Sequence, residues 1–421
     1  MSEILLRNII VAGATRDILI QDRLISRIAP AFSVVPSPSC DVMDCSGKTA
    51  IPGFINMHTH SGMTLMKGVG EDMKFHDWLA SIWKMESKID PEYIYWATKA
   101  AALEMIRTGT TFFNDQYWFV PAAQRAMSEM GIRGAFSYVF LDNGAPDKSG
   151  GDQLEECRAL WEESLDWNDG SFFTVGIHAV YSVGEENIRK AVAFAREHDL
   201  LIHLHLSETQ KEVEDCKAAH GGMSPVEYLD SLGVLDHRTI AAHTLWLSDE
   251  DVRILGERKV TCVHNINSNA KLASGYHFLY NEMRDAGANL CIGTDGCASS
   301  NNLDMLEAMK TSAIVQKAWR WSPDALPVEE LFNMATVNGA RALRENTGVL
   351  REGAVADINI VNTDSVFFLS SAPFLANLIY SAHSSCIESV IAAGRFVMRD
   401  YHIDGEKEIL REARRLIHQL G

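Results

Sequence analysis

The sequence predicts a (β/α)8 TIM-like barrel joined to a small β-sandwich domain built from both chain ends. Three observations carry this prediction. Eight strand-like segments alternate with helix-period stretches through the middle of the chain. Most of those strands end in His, Glu or Asp. The two chain ends share a different texture of short strands and turns. Strand–helix alternation argues for a parallel sheet. Eight repeats argue for closure into a barrel, whose C-terminal strand ends gather the reactive residues.

The elements follow in order. Residues 4–11, 17–20 and 22–28 are short β-like pieces separated by turn residues. Residues 356–361 and 387–397 repeat that texture. Such punctuation predicts a small antiparallel sheet or sandwich. The two ends are expected to pair as one domain, residues 1–52 and 352–421, with an amphipathic helix over 405–420. The barrel is expected over residues 53–351. Its first strand is the apolar run from Ala50 to Met57, leading into His58-Thr59-His60. Further strands lie at 110–115, 134–140, 172–178, 201–208, 239–243, 260–265 and 289–295. Helix-period stretches occupy 93–108, 187–198, 224–232 and 248–258, and two more, 303–317 and 328–343, follow the eighth strand.

Composition narrows the class. The chain has 421 residues, enough for a large barrel with an attachment, and 47% hydrophobic residues exclude global disorder. A net charge of −18 argues against nucleic-acid or anionic-membrane partners, which reward basic patches. The first residues lack the basic region and long apolar core of a signal peptide, so a cytoplasmic protein is expected. The eight cysteines form no Cys-x-x-Cys pair. They read mostly as core residues, Cys262 and Cys291 lying inside apolar runs.

The strand ends define a candidate metal site. Residues two apart on a strand share a face, so His58 and His60 can reach one ion. A lone His-x-His is more often two ordinary polar residues, but other strand ends add donors. A catalytic divalent ion takes three or four N or O ligands and keeps one position open. His205 is the third candidate, with His203 on the same face as its competitor. One of these two is expected to be a buried histidine bonded within the barrel. Asp295 is the fourth ligand candidate, although alone it would read as a helix cap. An activated water needs a base and a proton carrier. Asp295 can accept the water proton and His243 can hydrogen-bond the incoming hydroxide. Glu208 can shuttle a proton to a ring nitrogen of the substrate, activating a ring carbon and releasing ammonia.

At these residues the chain resembles the amidohydrolase superfamily, in its branch of deaminases and triazine chlorohydrolases. Pro52-Gly53-Phe54-Ile55-Asn56-Met57-His58-Thr59-His60 is similar to the first-strand motif, and His205-Leu206-Ser207-Glu208 to the fifth-strand ligand and acid/base pair. His243 is similar to the sixth-strand histidine, and Gly293-Thr294-Asp295-Gly296 to the eighth-strand motif. The resemblance selects His205 over His203. Many members hold two metals bridged by a fourth-strand lysine. Here that strand ends in Gly176-Ile177-His178 without one, which implies a single divalent ion. Zinc is the default; Fe2+, Ni2+ and Mn2+ accept the same ligands.

Within the branch the chain resembles the methylthioadenosine/S-adenosylhomocysteine deaminases. The carrying segments are Gly68-Val69-Gly70-Glu71-Asp72 with Asp77-Trp78-Leu79, Ser268-Asn269-Ala270-Lys271-Leu272-Ala273-Ser274-Gly275, and the run from Thr294 to Met305. The resemblance implies that Trp78 packs against a nucleoside, Glu86 binds its ribose hydroxyls and His178 contacts it. It also implies a homo-oligomer. Relatives that take S-adenosylhomocysteine use arginines after the third strand. Residues 141–153 contain Lys148 and no arginine. Lysine lacks the bidentate fork, which tilts the expectation toward methylthioadenosine, adenosine or 5'-deoxyadenosine. A free base (guanine, 8-oxoguanine, cytosine) or a triazine on the same scaffold is the alternative substrate. The alternative of another class is a non-catalytic binding protein, against which the full set of candidate ligands speaks.

Overall fold

The computed structural model describes residues 3–142 and 151–420. Among the described residues sixteen strands form two sheets. Five come first: β1 (Glu3–Val11), β2 (Ala14–Gln21), β3 (Leu24–Pro30), β4 (Asp41–Asp44) and β5 (Lys48–Pro52). Eight make the barrel: β6 (Phe54–Thr59), β7 (Thr110–Gln116), β8 (Arg133–Phe140), β9 (Phe172–Ile177), β10 (Ile202–Leu206), β11 (Thr239–His243), β12 (Thr261–His264) and β13 (Asn289–Ile292). Three return to the first sheet: β14 (Ile358–Asn362), β15 (Ile387–Ala392) and β16 (Arg395–Met398).

The barrel strands pair in parallel, in sequence order from β6 to β13. All eight expected barrel strands are present. Closure between the last and first strands runs through main chain and side chain together. Asp295 N–H donates to His58 O at 2.9 Å, and Thr294 N–H donates to Asn56 Oδ1 at 3.0 Å. Gly293 permits this approach, since a β-carbon there would lie 2.8 Å from the His58 backbone nitrogen. The lower barrel is filled, not hollow. Ile55, Met57, Phe112, Ile240, Val263 and Cys291 cluster there with Ala340 and Leu343.

The chain-end strands form one sheet in the order β16-β15-β14-β5-β1-β2-β3, with β4 beside β1. It surrounds a core of Ile4, Leu6, Ile9, Ile18, Ile358, Ile360 and Ile391. A bolt ties it to the barrel. The buried Arg133 guanidinium pairs with Glu345 at 2.8 Å and with the fully buried Asp357. Asp357 also accepts the Thr347 hydroxyl and, at 2.8 Å, Ala393 N–H.

Three expectations are corrected. The apolar run 50–57 is two strands in different sheets, split at Gly53, where a β-carbon would meet Thr111 Oγ1 at 2.2 Å. The run 387–397 is a hairpin, β15 and β16, turning at Ala393-Gly394. The helix expected over 328–343 breaks into Val328–Met334 and Val337–Leu343, because Thr336 leaves helical geometry (φ −138°, ψ −97°). Between β6 and β7 lie two helices, α1 (Phe75–Glu86) and α2 (Pro91–Arg107). The second matches the stretch expected from residue 93, and the first lies where no helix was expected. Among the described residues no helix is long and apolar enough to cross a membrane.

Candidate metal and active site

The C-terminal ends of β6, β10, β11 and β13 converge. Asp295 Oδ1 lies 3.4 Å from His58 Nε2 and 3.2 Å from His60 Nε2. His205 Nε2 lies 3.3 Å from His60 Nε2. The backbone bends sharply to aim these groups. Ser207, His243 and Asp295 take left-handed φ values of 51°, 76° and 65°. Such conformations are disfavoured for residues with a side chain and cluster at functional sites.

Hydrogen bonds behind the rings fix their tautomers. His60 Nδ1–H donates to Gln116 O at 2.6 Å, and His205 Nδ1–H donates to His178 O at 2.7 Å. Both Nε2 lone pairs therefore face the centre. Two lone pairs 3.3 Å apart beside a carboxylate repel unless a cation stands among them. His58 Nε2 is buried and lacks a hydrogen-bond partner, as expected of a ligand atom. Burial opposes charge on Asp295, but the adjacent imidazoles of His58 and His60 hold its carboxyl well below the usual range. Burial likewise disfavours a charged His60, yet Asp295 raises its pKa. The cluster thus favours positive charge at its centre, and its three imidazoles and one carboxylate suit a divalent metal ion.

His203, the competitor on β10, has a different place. Its Nε2 meets His58 Nδ1 behind the cluster. Asp115 at the end of β7 is a supporting residue that the sequence reading did not single out. It accepts Thr59 Oγ1–H at 2.9 Å, Ser61 N–H at 2.8 Å and Ser61 Oγ–H at 2.6 Å, pinning the loop that carries both histidines. Ser268 and Ser299 hydroxyls donate to Asp295 Oδ2.

Glu208 and His243 stand at the edge of the cluster, Oε2 and Nε2 3.7 Å apart. The Asn269 amide nitrogen lies 2.9 Å from His243 Nδ1. The imidazole therefore accepts there, and its proton sits on Nε2, toward Glu208. Burial pushes the His243 pKa down to about 3, so the ring is neutral. Burial, then the charges of Asp295 and Glu212, pushes the Glu208 carboxyl well above its usual range. A carboxyl whose pKa is raised in this way can serve as a general acid.

Above the cluster opens a pocket walled by α1. Trp78 and Glu86, both buried, line it with Phe75, Leu79, Ile82 and Trp83. His178, Tyr117, Trp118, Tyr181 and Leu272 face them. All nine residues expected at the site thus border this one pocket or its floor, His58 lying beneath. His178 is neutral, since burial and then the neighbouring His60 bring its pKa down to about 3. No lysine or arginine lines the pocket among the described residues. Lys148 lies outside the described residues.

A (β/α)8 barrel with three histidines and an aspartate converging at its mouth defines a metal-dependent hydrolase. The chain belongs to the amidohydrolase family, whose model matches residues 49–397. It is 43% identical over 379 residues to a 5'-deoxyadenosine deaminase of Methanoregula boonei, covering 88% of this chain and 84% of that protein. It is 42% identical over 372 residues to 5-methylthioadenosine/S-adenosylhomocysteine deaminase 1 of Archaeoglobus fulgidus, covering 88% and 87%. Among solved structures, an adenosine deaminase from Xanthomonas campestris with bound zinc superposes with a TM-score of 0.94. That protein is 30% identical, with 100% of this chain and 98% of that one covered.

Proposed function

We infer that this chain is a metal-dependent hydrolytic deaminase of an adenosine-type nucleoside, giving the inosine-type product and ammonia. The observation that carries the reading is Glu208 facing His243 at 3.7 Å at the floor of a pocket whose walls hold Trp78 and Glu86. The relatives' activities support it. His58, His60, His205 and Asp295 would hold one divalent ion, most simply zinc, with iron, nickel and manganese accepting the same donors. A cation held there supplies the Lewis acidity that makes water nucleophilic at neutral pH.

The chain's own residues do the rest. Asp295 takes a proton from the water that attacks C6 of the purine. His243, with its proton on Nε2, orients that water by hydrogen bonding. Glu208 gives its proton to the adjacent ring nitrogen, which draws electrons from C6. The exocyclic C6–N bond then breaks, the proton taken by Asp295 leaves with ammonia, and the C6 hydroxyl returns a proton to Glu208 as the product carbonyl forms. Trp78 offers its indole face to the purine, and Glu86 accepts hydrogen bonds from the ribose hydroxyls. His178 contacts the nucleoside as a neutral ring.

The lining favours substrates without an anionic tail. S-adenosylhomocysteine carries a carboxylate that meets no described lysine or arginine in the pocket. 5'-Deoxyadenosine, methylthioadenosine and adenosine fit the apolar wall better. The same reading carries a cytoplasmic, homo-oligomeric enzyme without nucleic-acid or membrane partners; light scattering of the purified protein checks its oligomeric state.

The deciding experiment is ammonia release by zinc-reconstituted protein over methylthioadenosine, S-adenosylhomocysteine, adenosine, 5'-deoxyadenosine, guanine, 8-oxoguanine and cytosine. Turnover led by a neutral adenosine derivative supports the proposal. Activity confined to a free base would discard the nucleoside pocket while keeping the metal site.

A further inference from the structure

The turn that presents Glu208 has a support of its own. Ser207, held at its left-handed φ of 51°, is fixed from two sides. Its carbonyl accepts N–H groups of Leu245 and Trp246 at 3.1 and 3.0 Å. Its own N–H donates to Glu212 Oε1 at 2.8 Å, and the N–H of Glu208 donates to Glu212 Oε2 at 2.8 Å. One carboxylate therefore spans both amides of the turn.

Glu212 is not an ordinary cap residue. It is the third residue of the helix Gln210–Ala219, whose cap, Thr209, accepts its N–H at 3.0 Å. In a capping box the third-residue carboxylate returns to the cap residue's own N–H. Here it also reaches further back, to the N–H groups of the two residues before the cap. It is also 4% exposed, and among the described residues no lysine or arginine pairs with it. Burying an acid without a countercharge is costly, and a solvent-exposed glutamate would cap the helix without that cost. The expense is explained if the carboxylate is needed where the turn is.

We propose that Glu212 is a positioning residue: its carboxylate clamps the Ser207–Glu208 turn and so aims the Glu208 side chain at the substrate. The proposal rests on the reading of Glu208 as proton carrier. Glu212 is itself neither a candidate metal ligand nor a pocket-lining residue, and it holds Glu208 by the backbone N–H, so its contribution falls on the chemical step.

The test compares wild type, Glu212→Ala, Glu212→Gln, Glu208→Gln and the Glu208→Gln/Glu212→Gln double variant. Each is zinc-loaded and assayed on the best nucleoside of the panel above, with zinc content measured. Glu212→Ala is expected to keep its zinc and its KM while kcat falls about 100-fold, as for a catalytic group displaced by roughly 1 Å. Glu212→Gln, which retains one acceptor oxygen, is expected to fall less. In the Glu208→Gln background the Glu212→Gln substitution should cost nothing further, because both act through one group. Wild-type kcat in Glu212→Gln beside a crippled Glu208→Gln overturns the positioning role alone. So does an undiminished effect of Glu212→Gln in the Glu208→Gln background, or zinc loss in Glu212→Gln. Full activity of Glu208→Gln overturns the proton-carrier reading, and the positioning role with it. If Glu212→Ala does not fold, the isosteric Glu212→Gln decides.

Discussion

His203 Nε2 lies 2.9 Å from His58 Nδ1, with both rings fully buried. For His58 Nε2 to present a lone pair, Nδ1 must carry the proton and donate it to His203. The two histidines of β10 thus divide their work: His205 faces the cluster and His203 orients a ring that does. Residues behind a metal ligand typically contribute 10- to 100-fold in metal affinity. His203→Ala should weaken zinc binding by about that factor, and His205→Ala should abolish stoichiometric binding. Dialysis against a graded chelator with metal analysis checks both. Zinc retained by His205→Ala but lost from His203→Ala would exchange their roles.

The two carboxylates near the ring nitrogens should separate in the same assay. Asp295→Asn is expected to abolish turnover, because an amide cannot carry the water proton, and to weaken the metal site. Glu208→Gln should also lose turnover but keep its metal. Equal metal loss in both would contradict the separate roles.

Trp78 tests the pocket rather than the chemistry. A base stacked on an aromatic ring contributes about 1–3 kcal/mol. Trp78→Ala should therefore raise KM for the nucleoside roughly ten-fold or more, with zinc content unchanged. An unaltered KM would remove Trp78 from substrate binding.

Arg133 makes a prediction about stability. Removing one partner of a buried ion pair costs about 3–5 kcal/mol, because the other charge stays buried and unpaired. Arg133→Met leaves Asp357 in that position, its side chain 0% exposed. Its melting temperature should fall by several degrees, while the folded fraction keeps its metal. A melting temperature equal to wild type would show that the pair adds nothing to stability.

The pH dependence of stability should carry the signature of Glu212. Burial raises its carboxyl from 4.5 to about 7, against the backbone N–H groups of Glu208, Ser207 and Thr209, which pull it down. Between those two values the folded state binds more protons than the unfolded state, so this group's contribution declines as pH rises through the window. Glu212→Gln does not titrate. The melting-temperature advantage of wild type over Glu212→Gln should therefore shrink from pH 4.5 to 7. An advantage that grows instead would show that Glu212 is ionised throughout.

Much of this was legible in the sequence because barrel strands are short, apolar and bracketed by polar ends. His58, His60, His205, His243 and Asp295 stand where apolar runs stop, and that is where a barrel collects its site. The split at Gly53 was hidden because both flanking strands are buried and their apolar runs join without a polar break. Helix α1 was missed, although Trp78, Leu79, Ile82 and Glu86 follow a helical spacing with one charged member. The helix Ile266–Lys271, which brings Ser268 to Asp295 and Asn269 to His243, has no apolar period to detect. Glu212 acts through backbone groups and Asp115 through a backbone group and two hydroxyls of neighbouring turns, and such partnerships leave no pattern along a chain.

The pairing of β5 with β14 sets a timetable for synthesis. These strands meet through Thr49 and Val361, Ala50 and Ile360, and Ile51 and Asn359. As the chain leaves the ribosome, β5 must therefore wait for the whole barrel to be translated before its principal neighbour exists. Among the described residues its earlier strand neighbour is β1, through the pair Ile10 and Thr49. A nascent chain stalled anywhere before Ile358 carries an open, apolar strand edge fused directly to the first metal-site strand. Open edges of that kind recruit other chains. Interrupted translation of this protein should thus be a source of aggregates, and chaperone demand should fall sharply once the last three strands emerge.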